Sequence, residues 1–551
     1  MASIDSKETN KKVILMGNEA LVRGALEAGV QFVATYPGTP ASEIGNIFAK
    51  IAKPNDIYFE FSTNEKVALE AAIGASFSGL KCLVAMKNFG LNVCSDSLLP
   101  FVYTGSVGPT VIAVGDDPSC WSSAQSEENS RGYAYLAHLP TLEPSDPQEC
   151  REFTKLAFQI SAKFKIPVMV RFTTRVAHQK MPVALGKISP INPATGNFVK
   201  NPAQFVTMPP RVLAMKTELL EKIEKIKNWA AKNGIDRLEG KIDKQKRGII
   251  ASSVSYLYVR EAMRELKLNL PVLKINLFYP VDEENIKKYI KNLKEVLVAE
   301  ELEPYLEKET ERLAKVTNPK LKIYGKDVLP AVGELRPEQV VAAVAKLAKK
   351  KYVCPAVNLP KEVVKRLPNF CPGCYYRLVL QAIKKTAPEG TIYGGDIGCY
   401  MIASLPTYGL ADYLSAMGSS IGIGHGIKKT NNQKVITLIG DSTFFHAGIP
   451  ALINTVFNKS SPLIIVLDNQ TTAMTGHQTN PGIGKTGMGE ETIALDIEAI
   501  CRACGVKNIK VIDPINMPEM EATIKEFLEK EEVSVIIARR MCWLLSQSKP
   551  R

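Results

Sequence analysis

Asp441 and Asn469 are the two residues in this chain best spaced to do chemistry together. Each follows a strand-forming run, "KVITLIG" before Asp441-Ser442 and "PLIIVL" before Asp468-Asn469. In an open parallel sheet the carboxyl ends of the strands line the ligand crevice, so two such tips meet over one site. Asp441 would supply an anionic oxygen, Asn469 an amide oxygen and the backbone carbonyl near Thr471 a third. With two diphosphate oxygens and a water they complete the all-oxygen octahedron that Mg2+ demands. Upstream, "SAMGSSIGIGHGI" sets Gly418, Gly422, Gly424 and Gly426 at the start of an expected helix. Small residues there let a phosphate approach backbone N–H groups. A glycine-rich helix alone more often reflects close helix packing, and the alternative for Asp441 is a helix cap; the Gly440-Asp441-Ser442 and Asn469 pattern turns both toward a diphosphate.

The second reactive group is sulfur. "NFCPGCYYR" sets Cys371 and Cys374 about a Pro-Gly turn, the spacing of a zinc knuckle, a redox dithiol or half a cluster site. A dithiol would need a thioredoxin-like setting, and a metal or cluster needs two more thiolates. Cys399 ends the β-run "TIYGGDIGC" and Cys542 ends "VSVIIARRMC", so both are expected at the same carboxyl edge as the diphosphate. Cys501 and Cys504 fall in the expected helix "LDIEAICRACG", a place for packing thiols. Cys371, Cys374, Cys399 and Cys542 are the favoured ligands, with zinc or no metal as the alternative.

Three α/β domains, doubly wound, are the economical way to position these groups in 551 residues. Short β-rich runs alternate with helical stretches over 12–180, over 246–350 and over 365–551, with a basic connector at 181–245. A hydrophobic share of 45% and a charged share of 23% are those of a globular chain. The net charge of +13 raises nucleic acid, but lysines interleaved with glutamates, as in "TELLEKIEKIKNWAAKNG", read as solvated helix faces. "VILMG" is too short for a signal peptide and no run reaches the ~18 apolar residues that span a bilayer, so no membrane contact and a cytoplasmic location are expected. Eleven cysteines in that reducing compartment argue against a disulfide framework.

The Gly-Asp-Ser and Asn pattern resembles the thiamine diphosphate motif, which usually reads Gly-Asp-Gly; Ser442 is a small departure. Thiamine enzymes need a glutamate facing the aminopyrimidine, for proton relay through the coenzyme. "STNEKVALEAAIGASF" offers Glu65 at a helix start, where a crevice edge would lie, and Glu70 within an amphipathic helix, where a solvated charge is expected. Together "YPGTPASEI", "STNEKVALEAA", "AMKNFGLNV", "GDDPSCWSSAQSEENSR", "CPGC", "DIGCY", "AMGSSIGIGHG", "IGDSTFFHAG" and "LDNQTTAMTGHQ" resemble the large subunits of indolepyruvate ferredoxin oxidoreductases, in the 2-oxoacid:ferredoxin oxidoreductase superfamily. The likeness covers essentially the whole chain.

That resemblance implies a pyrimidine-binding first domain, a transketolase-C-terminal-like second and a diphosphate-binding third. It makes Glu65 the pyrimidine partner, puts Thr39 near the substrate carboxylate, Lys87, Asn88 and Arg131 toward the substrate, and His425 and His446 beside the coenzyme. It matches the four favoured cysteines with the ligands of a proximal [4Fe-4S] cluster. The implied reaction is oxidative decarboxylation of an arylpyruvate-type 2-oxoacid to acyl-CoA and CO2, with coenzyme A as co-substrate. The implied partners are a small (beta) subunit, in heterodimers paired to a heterotetramer, and ferredoxin or another electron carrier. The family's large subunit continues into a ferredoxin-like domain, whereas this sequence ends at "LLSQSKPR", which leaves the acceptor open. A non-oxidative thiamine-dependent decarboxylase and a non-catalytic coenzyme-binding subunit are the alternatives. The four cysteines speak against the first and Glu65 against the second.

Overall fold

The computed structural model describes residues 4–190, 195–240, 246–354 and 366–548, and three largely parallel sheets organise them. The end of the expected connector and much of the expected linker after Lys350 lie outside the described residues. The chain divides into two compact units, Met1–Glu60 with Glu65–Asn358, and Phe61–Asn64 with Leu359–Arg551.

In the first unit the strands Phe32–Thr35, Cys82–Lys87, Thr110–Asp116 and Val168–Thr173 lie side by side and parallel. The last three are buried along their whole length, which is why they read as continuous rather than alternating apolar runs. The chain leaves Phe32–Thr35 for the edge strand Tyr58–Phe61, then returns past it to Cys82–Lys87. Winding therefore reverses between the carboxyl ends of Phe32–Thr35 and Cys82–Lys87, the place where such sheets open a ligand crevice. The strand Leu277–Tyr279, from the segment expected in the second domain, closes the far edge antiparallel to Thr141–Leu142. Lys12–Met16, expected to open the first βαβ unit, instead forms a separate antiparallel ribbon with Lys180–Ala184.

A second sheet in the same unit runs Lys322–Tyr324, Glu295–Ala299, Arg247–Ser252 and Val272–Ile275 in parallel, with Arg237–Glu239 antiparallel at its edge. Its carboxyl edge meets that of the large sheet through buried charge. Arg131 Nε and Nη2 donate to the two oxygens of Glu143 at 2.7 and 2.6 Å, Nη1 donates to Glu300 at 2.6 Å, and Nη2 also reaches Ser252. Arg171 joins Asp116 to the same Glu143 at 2.6 and 3.0 Å. Arg131, set toward the substrate by the resemblance, thus has its donors committed to this lock.

The second unit holds five parallel strands in the order Ile392–Gly394, Val435–Gly440, Leu463–Asp468, Ser534–Arg539 and Asn508–Ile512. Successive side chains point to opposite faces of a strand. Leu463, Ile465 and Leu467 accordingly pack with Ile436 and Ile536 in one apolar cluster, and Ile464 and Val466 with Ile439 and Ile537 in the other. Both faces of the sheet are covered, as doubly wound architecture requires. Among the described residues no helix is long and apolar enough to cross a membrane.

Removing one partner from the buried lock strands the others. Arg131→Met is expected to cost about 3–5 kcal/mol, because Glu143 and Glu300 lose a buried countercharge. Breaking the exposed Arg211–Glu218 pair by Arg211→Met should leave stability nearly unchanged, because water and salt screen the pair. Urea unfolding followed by circular dichroism compares the two.

Candidate coenzyme and cysteine sites

Asp441 begins the helical turn that leaves strand Val435–Gly440, and Asn469 follows strand Leu463–Asp468; the pairing of Gly440 with Leu467 sets their tips side by side. The two side chains converge on one amide. The N–H of Thr471 lies 3.2 Å from Asp441 Oδ2 and 3.1 Å from Asn469 Oδ1. Asn480 Nδ2 donates to the same Asp441 oxygen at 3.1 Å. Burial, then the neighbouring Asp468, pushes the Asp441 carboxyl up to about 7. A carboxylate so placed lacks a countercharge, and a hard divalent cation with oxygen ligands would supply it. Ser442 is accommodated by a hydroxyl pair, Thr472 Oγ1 donating to its Oγ at 2.9 Å. Gly440 is required by packing, since a Cβ there would stand 2.9 Å from the Tyr400 ring.

The glycine-rich segment forms the helix Ser419–Thr430, with Gly418 before it in the left-handed region at φ 85°. Gly424 packs on strand Val435–Gly440, while Gly422 and Gly426 face open space. His425 is half-buried on this helix, its Nδ1 buried without a hydrogen bond among the described residues, and His446 is buried in the turn after Asp441. The helix start has an owner that sequence reasoning missed. Asp396, fully buried, accepts from Gly418 N at 2.7 Å, Ser420 N at 2.9 Å and Ile397 N at 2.7 Å. Its position in "GGDIGC", an aspartate after glycine at a strand end like Asp441, was the available signal. Asn480 carried only a turn signal, Asn-Pro.

The four favoured cysteines come together. Cys371 and Cys374 bracket a tight turn with Gly373 at φ 76°, and the turn packs against Trp543, next to Cys542. Burial, then Cys374, Cys542 and Cys371 in that order, pushes the Cys399 thiol up to about 11, and burial, Cys371 and Cys542 push Cys374 up. Cys399 and Cys374 therefore each lie near the other three thiols. Among the described residues no group of three or more His, Cys, Asp or Glu side chains is arranged to hold a single metal ion. Cys501 is apart from them, buried in the apolar cluster under the opposite face with Cys504 packed against it. Cys542 also touches the tip that carries Asp441 and Asn469, its N–H donating to the Asn469 carbonyl at 3.0 Å.

In the first unit Glu65 is the first residue of helix Glu65–Phe77 and is buried at 6% exposure, whereas Glu70 is exposed beside Lys66 and Ser97. Glu65 lies against Gly90, where a Cβ would stand 2.7 Å from its Cγ. This close approach, in helix Asn88–Thr104, keeps room for the carboxyl. Thr39 is half-buried in the loop after Phe32–Thr35, its hydroxyl 3.4 Å from that of Ser42. Lys87 and Asn88 stand at the facing tip, both buried.

Family comparison matches two regions of this architecture. Residues 23–225 match the thiamine diphosphate-binding region of pyruvate flavodoxin/ferredoxin oxidoreductases, and residues 396–538 the C-terminal TPP-binding domain of thiamine pyrophosphate enzymes. The fold and its two strand-tip sites define a thiamine diphosphate-dependent enzyme of the 2-oxoacid:ferredoxin oxidoreductase class. The indolepyruvate oxidoreductase subunit IorA of Methanothermobacter marburgensis is 43% identical over 97% of this chain and 87% of its own length. That of Thermococcus kodakarensis is 42% identical over 97% of this chain and 86% of its own. The chain belongs to the family of indolepyruvate oxidoreductase IorA subunits. A solved 2-oxoglutarate:ferredoxin oxidoreductase from Magnetococcus marinus is 18% identical, with a TM-score of 0.48 over 61% of this chain and 65% of that one.

Asn480→Ala leaves Asp441 in place but removes a partner that orients it, and such losses run to about 10- to 100-fold in metal affinity. Thiamine diphosphate binding measured by calorimetry with magnesium present should weaken by that factor, and further in Asp441→Ala.

Proposed function

We propose that this chain is the catalytic subunit of an enzyme that oxidatively decarboxylates an indolepyruvate-like arylpyruvate to acyl-CoA and CO2. Cys371, Cys374, Cys399 and Cys542 would hold a [4Fe-4S] cluster, which would supply the redox centre between the substrate and ferredoxin or another carrier. The observation that carries this reading is the hydrogen bond from Cys542 N–H to the Asn469 carbonyl, which joins the cysteine group to the diphosphate tip. Thiolates suit zinc as well as iron-sulfur, but zinc has no redox chemistry and a two-electron oxidation needs a centre that does.

Thiamine diphosphate, when bound, supplies the electron sink for decarboxylation. Asp441, Asn469 and the Thr471 carbonyl hold Mg2+ against the diphosphate, with Gly440 and Ser442 beside them. Gly418 and Gly424 hold the glycine-rich helix close on Asp396 and the strand beneath it, Gly422 leaves open space for the coenzyme, and His425 packs beside it. Glu65 holds and returns a proton at the aminopyrimidine ring nitrogen. Thr39 directs its hydroxyl to the substrate carboxylate. The pyrimidine, transketolase-C-terminal-like and diphosphate domains correspond to 12–180, 246–350 and 365–551. The relatives are named as one subunit of an oxidoreductase, which supports a partner subunit; a small (beta) subunit would complete a heterodimer that pairs to a heterotetramer.

Co-purified anaerobically with its small subunit, the enzyme should reduce ferredoxin only when indolepyruvate and coenzyme A are both present. Release of an aldehyde with no acceptor reduced would favour the non-oxidative decarboxylase instead. Glu65→Gln should slow turnover by about 10²- to 10⁴-fold with coenzyme affinity kept, because an amide cannot relay the proton.

Cys542→Ser should lose the iron and sulfide that Cys501→Ser and Cys504→Ser retain. Chemical analysis and electron paramagnetic resonance of the reduced proteins read the difference, and the opposite pattern would sink the ligand assignment.

A further inference from the structure

Lys87 ends the buried strand Cys82–Lys87 at the point where the large sheet reverses its winding, and it is 8% exposed. Its aliphatic stem is clamped by the facing loop, because a Cβ on Gly38 would stand 2.8 Å from the Lys87 Cβ. Its ammonium has three donor hydrogens. Among the described residues it makes one hydrogen bond, to the Ser122 carbonyl at 2.7 Å, and it lies 5.1 Å above the Phe89 ring. The nearest carboxylate, Asp117, is 3.9 Å away and already occupied. Asp117 Oδ2 accepts from Ser122 N and Ser123 Oγ at 2.7 and 2.6 Å, and its Oδ1 accepts from Thr174 Oγ1 at 2.6 Å. Lys87 is thus a buried cation at a crevice, with donors to spare and its nearest carboxylate at the outer limit of an ion pair and already holding three other donors.

We propose that Lys87 is a substrate-positioning residue whose ammonium receives the C1 carboxylate of the 2-oxoacid at the carboxyl edge of the large sheet. The proposal rests on the reading of the chain as a 2-oxoacid oxidoreductase. Three residues on, in the helix that follows, Gly90 makes the room for Glu65, so the strand end and the first helical turn after it carry the carboxylate contact and the space for the proton relay. Burial, only partly offset by Asp117 and Cys120, brings the ammonium down to about 8. The titratable groups around it are Asp117, Cys120 and Glu127 on the loop after Thr110–Asp116, Asp116 in its ion pair with Arg171, and Glu65 beside Gly90. A bound carboxylate favours the charged amine, so affinity for an acid should be full below about 8 and fall as the pH rises through it.

The test uses the enzyme co-purified with its small subunit and two inert probes, arylacetate and the uncharged arylacetamide. In Lys87→Met, which keeps the stem that packs on Gly38, arylacetate affinity by calorimetry should fall about 10- to 100-fold, the worth of one charge-assisted hydrogen bond. Arylacetamide should bind as before, the pH dependence of arylacetate binding near 8 should vanish, and KM for the 2-oxoacid should rise more than kcat falls. Lys87→Arg should keep the preference for the acid. Equal loss of both probes, or none of either, would overturn the proposal and leave Lys87 as a tether for the loop at Ser122. Wild-type protein that binds arylacetate in this way yet oxidises no 2-oxoacid would uphold the carboxylate contact and overturn the functional reading.

Discussion

A carboxylate sealed from water must find donors, and in the second unit Asp396 finds three backbone amides that would otherwise have none. Its bonds to Ile397, Gly418 and Ser420 tie the loop that carries Cys399 to the first turn of the glycine-rich helix. The same loop is fixed from the other side, where the Tyr400 hydroxyl donates to the Ile397 carbonyl at 2.9 Å and the Thr443 hydroxyl to that same oxygen at 3.0 Å. Thr443 stands two residues after Asp441. One buried acid and one carbonyl therefore set the spacing between a thiol, a helix start and the diphosphate tip. Each of these sites is a loop whose position would otherwise be free to drift.

The first unit solves the same problem in two opposite ways. In the lock between its sheets, charges are matched donor for acceptor, and Arg131 is held in its charged form by Glu143 and Glu300 against the cost of burial. At Lys87 the match is left incomplete. Matched charge makes a rigid seam, and unmatched charge at a crevice makes affinity for what arrives there. The two lie on adjacent strands, since Asp116 of the lock immediately precedes Asp117 near Lys87.

Sequence alone made the central strands and both strand-tip pairs legible, because fully buried parallel strands are unbroken apolar runs and a tip residue follows directly. Glu65 and the four cysteines stood out as candidates for the same reason: each stands one or a few residues from the end of a regular element. The edges were not legible. Leu277–Tyr279 crosses to the large sheet and Lys12–Met16 leaves it, choices set by pairing partners distant in sequence and by two- or three-residue registers that carry no periodicity. Nor were the supporting residues. Asn480 reaches Asp441 from a loop whose course only the folded chain defines, and Gly90 matters through a side chain that is missing.

The crowding of Asp441 by Asp468 has a consequence for how much of this protein a cell holds. A carboxyl buried without a countercharge weakens the folded state, and a bound coenzyme would relieve it only when the fold is present to receive it. Any ligand that binds the folded form alone stabilises it in proportion to the logarithm of its concentration. The unliganded chain would be the form more often opened and more readily cleared by proteases. The abundance of this enzyme would then follow the supply of its vitamin, with no regulator needed.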